Sequence, residues 1–131
     1  MDKEIKKAKI FNYTIAIIFL ILFISVIILL GVWKWNRTFT VSKWMNNPND
    51  RHKIVSDMLS ENEIIGMSEN EIIELLGNET KPAPERFKHP RGEFANENNL
   101  TYELGVVYMD NEWLVITMEN GIAVDYVIGC N

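Results

Sequence analysis

Gly66-Met67-Ser68-Glu69-Asn70-Glu71-Ile72-Ile73-Glu74-Leu75-Leu76-Gly77 reads as a two-turn helix whose two ends are both written in its residues. Ser68 and Glu71 have the spacing of a capping box, in which each side chain satisfies a backbone N–H of the first turn that has no partner within the helix. Met67 and Ile72 stand at the N′ and N4 positions of a hydrophobic staple. Gly77 supplies the left-handed residue that stops the helix. Caps specify ends and not ligands, so this stretch speaks for the fold.

Upstream, Asn47-Pro48-Asn49-Asp50 marks another helix start, with Asn47 as N-cap and Pro48 at the first helical position. Ile54, Val55, Met58 and Leu59 then fall on one helical face. The hexapeptide Ser-Glu-Asn-Glu-Ile-Ile occurs at 60–65 and again at 68–73, a spacing far below any solenoid period. Its first copy reads as the end of one helix and the turn into the next.

Downstream, the pattern stops between Gly77 and Asn99, where Pro82, Pro84 and Pro90 break any helix and only Phe87 and Phe94 are large and apolar. From Leu100 the period changes to two: Leu100, Tyr102 and Leu104 alternate with Thr101 and Glu103. Residues 106–108 extend this strand or form a short one before a turn at Asp110-Asn111. Trp113 to Met118 and Ile122 to Ile128 follow, joined through Glu119-Asn120-Gly121. The expected fold is α+β: two short helices packed on a three- or four-stranded antiparallel sheet.

Register decides which face of the last hairpin is buried. A two-residue Asn120-Gly121 turn would set Glu119 opposite Ile122, Met118 opposite Ala123 and Ile116 opposite Asp125, and each face would mix apolar with charged residues. A three-residue loop with Gly121 in a G1 bulge pairs Met118 with Ile122, Ile116 with Val124 and Leu114 with Tyr126. The three-residue loop is therefore expected. It leaves Trp113 on the open face as an anchor for a partner.

Before this domain, Phe11 to Trp33 contains no charged residue. At ~1.5 Å per residue these residues make a rod of roughly 34 Å, enough to cross a hydrocarbon layer of ~30 Å. Phe11 and Tyr13 at one end, with Trp33 and Trp35 at the other, are the expected interfacial anchors. The run is longer than a signal-peptide h-region and no Ala-x-Ala-like site follows it, so a retained signal anchor is expected. The chain then divides into a basic tail at 1–10, a transmembrane helix at 11–33, a connector at 34–47 and a small domain at 48–131. Lys3, Lys6, Lys7 and Lys9 precede the helix; Lys34, Arg37 and Lys43 follow it. That bias points the N-terminus to the cytoplasm and the domain to the outside of the cell membrane.

After the apolar run come nine Lys/Arg and sixteen Asp/Glu, a net of -7. An acidic domain repels phosphate backbones, which argues against nucleic acid as a partner. Cys130 is the one cysteine and His52 and His89 the only histidines, so no internal disulfide or cysteine zinc cluster can form. Cys130 is either a terminal bystander or one half of an intermolecular bridge, and both histidines read as surface residues. No Gly-rich phosphate loop, His-Glu-x-x-His or Cys-x-x-Cys occurs. We expect no catalytic residues, no metal, no cofactor and no enzymatic activity. Arg86, Phe87, Lys88 and Arg91 make a basic and aromatic cluster in this acidic domain. With Trp113 they are the expected partner-binding residues, a solvated loop being the structural alternative.

A helix, then Gly66-Met67-Ser68 with a short helix closing on Leu75-Leu76-Gly77, then Tyr102-Glu103-Leu104-Gly105 and a hairpin with Asn120-Gly121 resembles the SmpA/OmlA-like domain. That domain belongs to a small lipoprotein of the outer-membrane β-barrel assembly machinery, and its fold is similar to that of the β-lactamase inhibitor protein. The resemblance covers roughly residues 48 to 128. Two features depart from it: Glu79 stands at the family's frequent proline, and a transmembrane helix replaces the lipidated N-terminal cysteine. The resemblance implies an exported domain that binds protein. On this reading the chain is a membrane-anchored assembly or adaptor factor of the cell envelope, with the lipid bilayer and an unidentified protein as partners. A membrane-tethered immunity or inhibitor protein is the alternative.

Overall fold

The computed structural model describes residues 1–80 and 98–130. The chain forms two compact units, Met1–Asn36 and Arg37–Asn131. The first is almost all of one helix, α1 (Asp2–Arg37), which has 36 residues, none of them buried. It is long and apolar enough to cross a membrane. Phe11, Tyr13, Trp33 and Trp35 all lie exposed on it.

The second unit is α+β. Its elements are α2 (Val41–Asn46), a 3-10 helix (Pro48–Asp50), α3 (Arg51–Glu61), α4 (Glu69–Leu76), β1 (Leu100–Val107), β2 (Asp110–Glu119) and β3 (Ile122–Cys130). The three strands are antiparallel in the order β1-β2-β3. Helices and sheet share one core that includes Ile54, Met58, Ile72, Leu76, Tyr102, Leu114 and Ile116.

The capping box forms as its spacing requires. The Ser68 amide donates to Glu71 Oε2 at 2.8 Å, and the Glu71 amide donates to Ser68 Oγ at 3.4 Å. The Ser68 amide and hydroxyl hold the Glu71 carboxyl below its ordinary value. Gly77 ends the helix at a φ of 77°.

Of the connector expected at 34–47, residues 34–36 continue α1 in the first unit, and the rest belongs to the second. Thr40 caps α2 by accepting from the Lys43 amide at 3.2 Å. Trp44, 0% exposed, meets Phe39 and Tyr102 edge to face with ring centroids 6.1 Å away in each case. Its Nε1 donates to the Leu76 carbonyl at 3.0 Å, which satisfies a backbone acceptor left over at the end of α4. Arg51 joins this hub: its guanidinium lies 4.9 Å from the Trp44 ring centre. Its Nε donates to the Trp44 carbonyl at 2.9 Å and an Nη to Thr80 Oγ1 at 3.0 Å. One cation thus ties three segments together through cation–π and hydrogen-bond contacts. His52, expected on the surface, is half-buried, with Nδ1 3.3 Å from the Leu104 carbonyl.

Register departs from expectation in an informative way. Asn120 and Gly121 form a two-residue turn at φ of 51° and 78°, with Glu119 opposite Ile122 and Met118 opposite Ala123. Val124 is then skipped, and Thr117 pairs with Asp125, Ile116 with Tyr126 and Leu114 with Ile128. The extra residue lies in the strand and not in the loop. A bulge there lets the preferred Asn-Gly turn coexist with an apolar face. Leu114, Ile116 and Met118 face the helices as expected, but Ala123 takes the place opposite Met118, and Ile122 and Val124, expected on that face, are exposed. Beyond the bulge the pairing differs from the expected one by two residues, which keeps Ile116 and Leu114 opposite residues of the same face.

The β1–β2 turn is also displaced. Strand β1 runs on to Val107 and β2 begins at Asp110, so Tyr108 and Met109 make the turn and Asp110-Asn111 lies in the ladder. Among the described residues the sheet has three strands. Leu104 is skipped between Glu103 and Gly105. At Gly105 (φ 110°) a Cβ would collide with the Asn49 carbonyl. The 3-10 helix can approach β1 there only because glycine leaves room.

Candidate functional site

Four of the five residues expected to contact a partner, Arg86, Phe87, Lys88 and Arg91, lie outside the described residues. The fifth, Trp113, is not an exposed anchor. It is 4% exposed and forms a small second cluster with buried Val115 and partly buried Val127. The face opposite the helices is therefore closed at Trp113. Trp113 and Leu114 belong to different clusters, but alternation assigns a face without saying whether that face is covered.

A polar cleft of about 590 Å³ is lined by residues including Glu69, Glu79, Asn99, Met118 and Glu119. One of its carboxylates serves the fold: Glu79 Oε2 accepts from the Thr101 amide at 3.1 Å and from its hydroxyl at 3.4 Å. Among the described residues no group of three His, Cys, Asp or Glu is placed to hold a metal ion. Burial, then the negative charges of Glu112 and Asp110, push the Cys130 thiol above its ordinary value. That is opposite to what a thiolate nucleophile requires.

The feature that stands out is the β1–β2 hairpin. Strand β3 ends opposite Glu112, at Cys130. Two further β1–β2 pairs lie beyond it, Val106 with Asn111 and Val107 with Asp110. Among the described residues these pairs have no third strand beside them. They form a two-stranded finger tipped by Tyr108 and Met109, which are 94% and 96% exposed, with Val106 at 61%.

Both tip residues take positive φ, 51° at Tyr108 and 78° at Met109. A two-residue turn with both φ positive favours Asn-Gly, and bulky side chains there are strained. The other hairpin of the same sheet has Asn-Gly at its turn. The contrast marks Tyr108-Met109 as a turn whose residues oppose local preference while exposing two large side chains to solvent. Strain of this kind gathers at functional sites. Asp110 and Glu112 flank the tip, and among the described residues neither forms an ion pair.

Sequence reasoning missed this tip. Asp110-Asn111 next to it has better turn chemistry, and a Tyr-Met pair carries no turn signal. Comparison with family models, with curated proteins and with solved structures finds no match for this chain.

Proposed function

We propose that this protein is a membrane-anchored protein-binding module: α1 crosses the bilayer and holds the small acidic domain at its surface. The observation that carries the reading is a 36-residue helix with no buried residue, continuous in chain with a folded unit that has its own core. Aromatic residues at 11, 13, 33 and 35 support interfacial anchoring at both ends of the apolar run. The helices-on-sheet layout is consistent with the SmpA/OmlA-like resemblance, and a role as an envelope assembly or adaptor factor is proposed on that basis.

The lysine bias supports a cytoplasmic N-terminus and an external domain. Protease added to intact cells or spheroplasts tests this. Removal of the domain while a tag before Lys3 stays protected is the expected result. Digestion only after permeabilisation would reverse the orientation.

A further inference from the structure

We propose that the β1–β2 finger is the docking element, with Tyr108 and Met109 entering an apolar pocket on a protein partner whose rim is basic. This rests on the protein-binding reading above and adds the surface and the chemistry of the partner. Two observations carry it. The tip places an aromatic and a thioether side chain almost wholly in solvent, with Val106 behind them. Tyrosine and methionine are both enriched at interface cores. Finally, the backbone holds both residues at positive φ, where two smaller residues would be more stable.

Charge selects among occupants. Asp110 and Glu112 lie beside the tip, and among the described residues neither forms an ion pair. They oppose an anionic lipid surface, and they oppose the same tip on a second copy of this chain. A pocket rimmed by lysine or arginine on another protein satisfies both the apolar tip and its acidic flanks.

The test uses the full chain in its native membrane, with a photoreactive phenylalanine analogue at Val106 or, as control, at Asn120 on the other hairpin. The expected result is a discrete protein adduct from position 106 and none of that adduct from 120. Tyr108→Asn with Met109→Gly should lower its yield about tenfold or more, the scale expected when buried anchors are truncated. Asp110→Asn with Glu112→Gln should lower it further at low salt than at high salt. The Asn-Gly tip should make the domain more stable, so this loss cannot be ascribed to unfolding.

An adduct unchanged by the Asn-Gly tip would overturn the proposal, as would the absence of any protein adduct at 106. A partner captured from other surface positions but not from 106 would remove the finger and leave the protein-binding reading standing. A second arm reconstitutes the full chain carrying Cys130→Ser and Met109→Cys, labelled with an environment-sensitive dye, in phosphatidylcholine–phosphatidylglycerol vesicles. An unshifted emission is expected. A blue shift showing the tip in the bilayer would overturn the protein-docking assignment.

Discussion

The indole of Trp44 donates a hydrogen bond to the carbonyl of Leu76 across 32 positions of sequence, at 3.0 Å and fully buried. It closes the C-terminal end of α4 with a side chain from a six-residue helix. Trp44→Phe keeps most of the ring and deletes the donor. It should cost about 1–3 kcal/mol, the penalty of leaving a buried acceptor unmet. Trp44→Ala should cost about 3–5 kcal/mol through the cavity it leaves. Denaturant unfolding of the full chain in mild detergent measures both. Near-wild-type stability of Trp44→Ala would show that α2 is not part of the core.

Gly105 and Gly121 separate two uses of glycine. Both have positive φ, but a Cβ on Gly105 would strike the Asn49 carbonyl and one on Gly121 would meet nothing within 4 Å. Gly121→Ala should cost about 1 kcal/mol, for backbone strain alone. Gly105→Ala should cost about 2–4 kcal/mol, because overpacking adds to strain. Equal losses for the two variants in the same unfolding assay would mean that the 3-10 helix does not sit against β1.

Much of this unit was legible in sequence because its signals are local. The ends of α4 follow from Ser68, Glu71 and Gly77, which act within one turn of their own positions. The buried face of β2 follows from alternation. Trp44 was not legible, since six residues are too few to show a helical period. Thr40, three residues before Lys43, was the one cue to an N-cap. The bulge at Val124 leaves no mark in composition; it emerges only when turn preference and face burial are satisfied together. The Tyr108-Met109 turn was hidden for the opposite reason: it violates the local rule by which turns are read.

Tyr102 predicts an alkaline transition. Its hydroxyl donates to the Gly77 carbonyl at 2.8 Å, and burial, then Glu79, push the phenol up to about 12. The folded value thus lies above the unfolded value of about 10. The stability linked to this group is fully present below pH about 10 and is lost as pH rises through the folded value. Unfolding free energy should fall between pH 10 and about 12, and Tyr102→Phe should lower stability at neutral pH while flattening that fall. An unchanged alkaline slope in Tyr102→Phe would contradict the assignment.

The strained tip makes a prediction that needs no partner. Tyr108→Asn with Met109→Gly should stabilise the domain by about 1–2 kcal/mol, since left-handed backbone is costly for bulky residues. Thermal unfolding of the full chain in detergent reports the change. A destabilised variant would mean that Tyr108 and Met109 hold the hairpin together, in which case they would not be reserved for a contact.

Membrane anchoring by α1 is the central claim, and alkaline carbonate extraction tests it most directly. Membranes from cells expressing the full chain should retain it in the pellet after carbonate treatment. A variant with Leu22→Arg and Ile24→Arg places two charges at the middle of the apolar run, where each is costly to bury in hydrocarbon, and it should appear in the soluble fraction. Release of the unaltered chain by carbonate alone would contradict the account, because a helix that spans the bilayer cannot leave it with the peripheral proteins.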